Sequence, residues 1–235
     1  MKLEIGYKSA FEIRSEELTY DGKQPLRIVY MSDLHFNAYS APMVANIVQE
    51  VKQTKPDVLL LGGDYADTKK GLVHLNELLK SFAGIDHVMA VAGNHDYFFG
   101  IETLKNIMLA HKIVWIEKKS VQISVNGCSI QIDGNMITGK EHKADLKILC
   151  LHKPLDIETI PGYDVAFAGH LHGSQFVAWQ TEKGLFPGRF FYKWNRLKTT
   201  VNNCRYYISK GLGDTLPIRY NCPKDLIVIN LKPEA

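Results

Sequence analysis

The chain has 235 residues, of which 46% are hydrophobic and 23% are charged, with a formal net charge of +3 and a pI near 8.5. A chain of this length and composition buries a large core without disulfides or structural metals. The positive charge is too weak and too scattered to indicate a nucleic-acid partner. No linker, repeat or low-complexity tract interrupts the sequence, and we expect a single domain over residues 1–235.

The cysteines and the N-terminal residues indicate the cellular compartment in which the protein is expected. The four cysteines, Cys128, Cys150, Cys204 and Cys222, form no C-x-x-C pair, so a Cys-ligated zinc site is not expected. Free thiols suit a reducing cytosol. The N-terminal residues lack the apolar segment of a signal peptide, and no run of about 18 apolar residues occurs. We therefore expect a cytoplasmic protein.

The first half of the sequence alternates between strand and helix patterns. Strands are predicted at 3–7, 11–13, 26–31, 58–61 and 88–92 from alternating or continuous apolar residues. Apolar residues at helical spacing predict helices at 41–53, 72–82 and 101–108. This β-α-β-α order favours a largely parallel sheet.

Strands dominate the second half of the sequence. Asn126-Gly127 between two apolar stretches predicts a two-residue hairpin joining 121–125 to 129–132. Further strands are predicted at 148–151, 165–168, 175–178, 206–209 and 226–231. Together, the two halves predict an α/β fold in which two mixed β-sheets pack as a sandwich with flanking helices.

Five of the predicted strands stop abruptly at Asp, Asn or His. An apolar run that ends in such residues is typical of a buried strand that delivers a metal ligand to one edge of a sheet. The residues delivered in this way are Asp33, His35, Asp64, Asn94, His152, His170 and His172. Their oxygen and nitrogen atoms suffice for two metal ions.

Spacing within these segments supports a metal site. Asp33 and His35 are two residues apart, which puts both side chains on one side of a strand end, and His170 and His172 share this spacing. Asp64 is the single candidate ligand of its segment, and its two carboxylate oxygens can bridge two ions. A mixed set of His and carboxylate ligands without thiolates suits Mn²⁺, Fe or Zn²⁺ better than Ca²⁺ or Mg²⁺.

Single residues in this set have simpler interpretations. Asp33 is also a common turn residue, Asn94 a common helix cap, and His152 can be a buried structural histidine. Four other histidines lie in no such pattern, and we assign no role to His74, His87, His111 or His142.

The motifs follow one another in the order Asp33-x-His35, Gly63-Asp64, Gly93-Asn94-His95-Asp96, His152 and Gly169-His170-x-His172. This succession resembles the calcineurin-like metallophosphoesterase superfamily. The tail, Lys210-Gly211-Leu212-Gly213 followed by Leu216-Pro217-Ile218-Arg219, is similar to a bacterial subgroup that includes membrane-associated phosphohydrolases and a UDP-diacylglucosamine pyrophosphatase. Ser174 stands where that subgroup often has a second glycine.

The resemblance implies a role for each site residue. It implies a first ion on Asp33, His35, Asp64 and His172, and a second ion on Asp64, Asn94, His152 and His170. It also implies that His95 is no ligand but faces the substrate phosphate and the leaving group. Asp67 looks like the carboxylate that orients His95 in several family members.

The implied chemistry is phosphoryl transfer at two divalent ions, with Mn²⁺ expected and Fe or Zn²⁺ as alternatives. Two ions about 3.5–4 Å apart hold both sides of the transfer, and a bridging hydroxide attacks phosphorus in line. His95 assists the leaving group. We expect hydrolysis of phosphodiester or pyrophosphate bonds. The alternatives are a phosphomonoesterase, a nuclease and a non-catalytic scaffold on the same fold, and the last is disfavoured because His95 and every ligand are present.

Three further features each allow two or more interpretations. Asp96 either supports a neighbouring ligand or caps a helix. The aromatic segment 186–194 forms a rim near the metals, a hairpin in the core, or a surface for lipids or bases, and hence a peripheral membrane contact. Arg219 binds a substrate phosphate or forms a surface ion pair. The expected substrates are phosphorylated small molecules, nucleotide sugars or lipids, and no protein partner is predicted.

Overall fold

Two six-stranded β-sheets lie face to face in the computed structural model, which describes residues 1–137, 143–156 and 162–234. His142, to which we assign no role, lies outside these residues. The strands are β1 (Leu3–Ile5), β2 (Phe11–Tyr20), β3 (Leu26–Met31), β4 (Val58–Leu61), β5 (His87–Ala90), β6 (Val114–Trp115), β7 (Lys119–Val125), β8 (Cys128–Gly134), β9 (Leu146–Cys150), β10 (Val165–Ala168), β11 (Val177–Thr181), β12 (Gly184–Pro187), β13 (Lys198–Val201), β14 (Cys204–Ile208), β15 (Ile218–Tyr220) and β16 (Lys224–Pro233). The helices are α1 (Ala41–Thr54), α2 (Lys69–Lys80), α3 (Asn94–Phe99) and α4 (Ile101–Ala110).

Both large sheets are mixed. The first sheet has the strand order β2-β16-β3-β4-β5-β6, and β3 to β6 run parallel while β16 is antiparallel to β3. The second sheet has the order β13-β14-β10-β9-β8-β7, with β14, β10, β9 and β8 parallel and an antiparallel strand at each edge. The prediction of an α/β sandwich of two mixed sheets is therefore confirmed.

The core between the two sheets is built from the alternate side chains of the central strands. Ile28 and Tyr30 from the first sheet meet Ile148 and Phe167 from the second, and all four are fully buried. The rings of Tyr30 and Phe167 stack with centroids 5.0 Å apart. The Tyr30 hydroxyl donates to the Leu151 carbonyl at 2.8 Å, so this buried polar group is satisfied where the sheets approach the ligand-bearing loops.

Three helices cover the outer face of the first sheet. The apolar side chains of α1, among them Ile47 and Val51, pack with those of α2 and α4 against Val29 and Leu59 of the sheet. Thr68 caps α2, because its side chain accepts a hydrogen bond from the Gly71 backbone N–H at 3.0 Å. Among the described residues, no helix combines the length and the apolarity that a membrane crossing needs.

The predicted hairpin strands pair with each other, whereas the two opening strands of the chain pair with strands near its end. The predicted hairpin is confirmed, with Asn126 and Gly127 at φ values of 51° and 77° in the turn between β7 and β8. The two opening strands form, but they do not pair with each other. β1 pairs with β15, and β2 pairs with β16, so both strands tie the start of the chain to its end.

Truncation of Phe167 tests the importance of the core between the sheets. We expect Phe167→Ala to lower the free energy of unfolding by about 3–5 kcal/mol, because the side chain is fully buried and leaves a cavity. The matched control is Phe98→Ala, since Phe98 is 91% exposed and its loss should change stability by less than about 0.5 kcal/mol. Denaturant titration of both variants measures the difference, and equal stabilities would contradict the assignment of this core.

Candidate metal centre

The parallel strands of both sheets present their carboxyl ends at one edge of the sandwich. In the first sheet, Met31 pairs with Leu61 and Leu61 with Ala90, so the loops after β3, β4 and β5 start side by side. In the second sheet, the loops after β9 and β10 start together in the same way. Six of the seven candidate ligands lie in these loops, and the seventh, Asn94, is the first residue of α3, which follows β5. This edge of the sheets is where α/β folds place their functional residues.

Five of the seven candidate ligands adopt a left-handed backbone conformation. Their φ values are 55° for Asp33, 43° for His35, 57° for Asp64, 71° for His170 and 49° for His172. Non-glycine residues in this region cost about 1–3 kcal/mol each and persist only where the surroundings hold them. Their concentration at one sheet edge indicates that the chain turns sharply here to aim side chains inward.

The first ligand group consists of Asp33, His35 and His172, which are all buried and whose donor atoms lie within 4.8 Å of one another. The Nε2 atom of His172 lies 3.7 Å from Asp33 Oδ1. Ser32 Oγ donates to Asp33 Oδ2 at 2.6 Å, and the backbone N–H of His170 donates to both carboxylate oxygens. The Asp33 carboxylate is thereby fixed in one orientation.

The second ligand group consists of Asp64, His152 and His170, with Asn94 beside them. The Nδ1–H of His152 donates to the Gly62 carbonyl at 2.9 Å, so Nε2 is the ring nitrogen that faces the other candidate ligands. This Nε2 atom lies 2.9 Å from Asn94 Oδ1 and 3.4 Å from Asp64 Oδ2. Three acceptor atoms thus converge on a small space, as they do around a cation.

Asp64 lies between the two ligand groups. Its Oδ2 atom is 3.6 Å from His35 Nε2 on one side and 3.4 Å from His152 Nε2 on the other. Its Oδ1 atom accepts a hydrogen bond from the backbone N–H of His95 at 2.8 Å. This is the position that a carboxylate shared by two ions requires.

The unpaired atoms of the site fit a divalent metal. Among the described residues, the buried Nε2 atom of His35 has no hydrogen-bond partner, while its Nδ1–H donates to Asp67. A buried polar atom without a partner is costly unless a ligand satisfies it. Burial lowers the pKa of His172 to about 3, so its imidazole is neutral at physiological pH, which is the form that binds metals. Oxygen and imidazole donors without a thiolate suit Mn²⁺, Fe or Zn²⁺.

Asp67 and His95 lie together at the mouth of the site. Asp67 contacts both His35, at 2.9 Å from Nδ1, and His95, whose Nδ1 is 3.4 Å away. Burial opposes ionisation of Asp67, but its hydrogen bond to His35 and the neighbouring imidazoles lower its pKa. The sequence interpretation attached Asp67 to His95, whereas the shorter contact is to His35. Asp67 is therefore placed to orient the candidate ligand His35 as well as His95.

Asp96 combines the two roles between which the sequence could not decide. It lies in the first turn of α3, and its Oδ2 accepts from the Gly93 N–H at 2.7 Å. The same oxygen accepts from the Asp64 N–H at 2.8 Å, and Oδ1 accepts from the Tyr65 N–H at 3.0 Å. Burial raises the pKa of Asp96 to about 6. The carboxylate thus caps the helix and also holds the Asp64 loop in place.

Asn135 and Glu117 contribute to the site in a way that sequence reasoning missed. The Oδ1 atom of Asn135 accepts from the His152 N–H at 2.7 Å, and its Nδ2 donates to the Ala92 carbonyl at 2.7 Å. Glu117 accepts from both Asn135 and the Ala92 N–H. These bonds join the two sheets beside the ligands. Neither residue belongs to a recognisable motif, so no local signal points to them.

Arg219 occupies a different environment from the one expected. It is only 2% exposed, and its guanidinium donates to Asp214 and to backbone carbonyls behind His172. This placement does not fit direct contact with a substrate phosphate, and the ion pair with Asp214 is buried rather than on the surface. The guanidinium faces the protein interior, where Asp214 and backbone carbonyls accept its hydrogen bonds.

A cleft of about 430 Å³ opens over the candidate ligands. Its wall comprises Asp64, Asn94, His95, His170, Leu171, His172, Ser174, Gln175, Tyr192 and Thr215. Tyr192 brings the aromatic segment 186–194 to the rim of this cleft. Trp194, at the end of that segment, is buried and packs against Tyr206 with ring centroids 5.2 Å apart. The segment is therefore part rim and part core.

The family can now be assigned. Residues 26–174 match the family model of the calcineurin-like phosphoesterases, a span that contains all seven candidate ligands. The chain belongs to this family and is a hydrolase that acts on phosphoester bonds.

Three bacterial relatives extend the similarity over most of the chain. The uncharacterized protein YpbG of Bacillus subtilis is 28% identical over 230 residues, covering 89% of this chain and 82% of that protein. Phosphodiesterase YaeI of Escherichia coli is 24% identical, covering 94% of this chain and 88% of that protein. An uncharacterized metallophosphoesterase of Helicobacter pylori is 26% identical, and the matched region spans 89% of this chain but 60% of that protein.

Solved structures share the fold at low sequence identity. The sulfate thiohydrolase SoxB of Thermus thermophilus has a TM-score of 0.52 at 10% identity, covering 91% of this chain and 58% of that protein. A 5'-nucleotidase precursor from the same organism has a TM-score of 0.51 at 13% identity, covering 80% of this chain and 49% of that protein. These likenesses support the fold assignment.

Replacement of Asp67 tests its contact with His35. We expect Asp67→Ala to weaken divalent metal binding by about 10–100-fold, because a ligating histidine loses the partner that orients it. A chelator competition with Mn²⁺ measures the affinity. Glu102→Ala removes a carboxylate that pairs with Lys105 on α4 and should leave the affinity unchanged. Unchanged binding in Asp67→Ala would rule out this supporting role.

Proposed function

We propose that this protein is a binuclear metal-dependent phosphohydrolase that cleaves phosphodiester or pyrophosphate bonds. The observation that carries the proposal is the position of Asp64, whose Oδ2 lies between His35 Nε2 and His152 Nε2. Two divalent ions, Mn²⁺ by preference and Fe or Zn²⁺ as alternatives, would activate water and neutralise charge on the phosphoryl oxygens. Asp33, His35, Asp64 and His172 would hold one ion, and Asp64, Asn94, His152 and His170 the other.

His95 is the candidate catalytic acid. Its side chain is 41% exposed and lines the cleft beside the ligands. Its backbone N–H is anchored on Asp64, so the ring has a fixed position relative to the metal ligands. Asp67 lies 3.4 Å from its Nδ1, which favours a proton on that nitrogen. When the ring carries a second proton, on Nε2, that proton can pass to the oxygen of the leaving group, and the neutral Nδ1–H ring remains; general acid catalysis of this kind typically contributes about 10²–10⁴-fold.

The chemistry of the cleft wall favours a diester substrate. Apart from the candidate ligands and His95, the described part of the wall consists of uncharged residues, namely Leu171, Ser174, Gln175, Tyr192 and Thr215. A phosphomonoester dianion or the second phosphate of a pyrophosphate gains from a lysine or arginine partner, which this wall does not offer among the described residues. A phosphodiester carries one negative charge and therefore has less need of a positively charged side chain in the cleft wall. The relative YaeI is named a phosphodiesterase, which agrees with this preference.

The exposed aromatic residues of segment 186–194 support a second part of the proposal, that the substrate lies at a membrane surface. Phe190 and Phe191 are 69% and 78% exposed next to Tyr192 at the cleft rim. Such a surface fits peripheral contact with a membrane by a cytoplasmic enzyme, and a lipid or nucleotide-sugar substrate. Residues 1–235 would act as one domain, because β2 and β16 from the two ends of the chain pair in one sheet.

A metal-dependent hydrolysis panel tests the function. Protein stripped with chelator and reloaded with Mn²⁺ should hydrolyse bis-p-nitrophenyl phosphate faster than p-nitrophenyl phosphate. His95→Asn should keep both ions and slow turnover by at least about 100-fold, since it removes proton donation but no ligand. Asp64→Asn should lose both metal and activity.

Each outcome separates the alternatives. A preference for the monoester would favour a phosphomonoesterase. Cleavage of a single-stranded oligonucleotide in preference to both small substrates would favour a nuclease. Absence of turnover on every substrate, with metal bound, would favour a scaffold. Full activity of Asp64→Asn would contradict the binuclear proposal.

A further inference from the structure

The tail motif that ends in Arg219 has no part in the proposed chemistry, yet it lies against the candidate ligands. After β14, residues 210–214 form a loop that packs on the start of the Asp33 loop. The Leu212 N–H donates to the Ser32 carbonyl at 3.1 Å, and the Gly213 N–H donates to the Asp33 carbonyl at 2.5 Å. We refer to residues 210–214 as the bracing loop.

Gly211 is the point of closest approach between the bracing loop and the ligands. Its φ is 76°, and a Cβ at this position would lie 2.8 Å from Asp33 Cβ and 3.0 Å from His172 Nδ1. Only glycine combines this conformation with this proximity. The bracing loop therefore touches two of the ligands proposed for the first ion and keeps them from moving outward.

Arg219 holds the bracing loop from behind. Its Nη2 donates to the Gly213 carbonyl at 2.7 Å and to the Lys210 carbonyl at 3.0 Å, which are the two ends of the turn. Its Nε donates to Asp214 Oδ1 at 2.6 Å, and its Nη1 donates to the Cys222 carbonyl at 3.2 Å. One guanidinium thus ties the bracing loop to the segment between β15 and β16.

The same guanidinium reaches His172 directly and through Cys222. Nη2 of Arg219 is 3.5 Å from His172 Nδ1, and the Cys222 thiol donates to the His172 carbonyl at 3.3 Å. Asp214 is balanced on its other side by Lys224, whose Nζ lies 2.6 Å from Oδ2. Arg219, Asp214 and Lys224 are all buried, so this charge network is rigid and shielded from water.

We infer that Arg219 is a positioning residue for the first metal position, which it maintains by clamping the bracing loop against Asp33 and His172. This inference rests on the proposed function, because it takes the two metal positions as given there. The second position, with Asn94, His152 and His170, makes no described contact with Arg219 or the bracing loop. Loss of the clamp should therefore weaken one ion and spare the other.

The experiment is a calorimetric titration of the metal-stripped full chain with Mn²⁺ alone. Wild-type protein should bind two ions. Arg219→Met, which keeps much of the apolar stem and removes every donor, should bind one ion with normal affinity and the other at least about tenfold more weakly. The matched control is Arg27→Met, because Arg27 also bonds a side chain and a carbonyl, Asn230 and Thr54, but at the opposite end of β3.

A double-mutant cycle assigns the effect to one position. In a His170→Ala background, which disables the second position, Arg219→Met should weaken the remaining ion at least about tenfold. In a His172→Ala background, which disables the first position, Arg219→Met should leave the remaining ion unchanged within about twofold. An effect of Arg219→Met on metal affinity that is non-additive with His172→Ala, but additive with His170→Ala, indicates coupling through His172. A general loss of stability would weaken both metal positions alike.

A second variant keeps the test decisive if Arg219→Met does not fold. Gly211→Ala inserts a methyl group between the bracing loop and the two ligands without altering Arg219, and it should also weaken one ion selectively. Gly127→Ala is its control, since Gly127 has a φ of 77° but nothing within 4 Å of its Cβ position. It imposes the same backbone strain away from the site and should leave both affinities unchanged.

The outcomes separate this inference from the proposed function. Wild-type protein that binds fewer than two ions would contradict the proposed function itself. Two ions in wild type, together with unchanged affinities in a folded Arg219→Met or in Gly211→Ala, would overturn the positioning role alone. Equal weakening of both ions would also overturn it, because that result indicates a structural role without preference for the first position.

Discussion

Two carboxylates, Asp33 and Asp64, approach a ring of imidazoles, and the loops around them are arranged to hold these groups together. These side chains belong to loops that leave the ends of parallel strands, and they converge with few donors between them. Such an arrangement is unfavourable without a cation, because it leaves the buried Nε2 atom of His35 without a hydrogen-bond partner among the described residues. The left-handed backbone of Asp33 and Asp64 adds strain. A bound metal would offset both costs.

The surrounding structure holds this unfavourable cluster together in three ways. Glycines permit the backbone to approach closely, as at Gly93, where a Cβ would collide with the Asp64 carboxylate. Buried carboxylates and amides fix the loops, with Asp96 gathering three backbone N–H groups and Asn135 joining the two sheets. On the remaining side, Arg219 and the bracing loop close the cluster. Rigidity around the site, rather than at the ligands themselves, is what preorganises it.

The sequence predicted the strands that carry the site better than those that surround it. The bounds of β3 and β4 match the apolar runs of the sequence because both faces of these parallel strands are buried. β11 and β12 form no such run, since most residues of β11 are exposed, and α3 is too short to show a period. The positions of the candidate ligands at the strand ends were predictable from the sequence. The burial of Arg219 was not, because its partners are set by tertiary packing, and the same holds for the contact of Asp67 with His35.

Anomalous scattering from a crystal grown with Mn²⁺ would show whether two ions bind in this site, because it locates each ion without relying on activity. We expect two peaks, one on either side of Asp64. One peak would be ringed by Asp33, His35 and His172, and the other would lie next to Asn94, His152 and His170. A single peak, or peaks that do not share Asp64 as a ligand, would contradict the binuclear account.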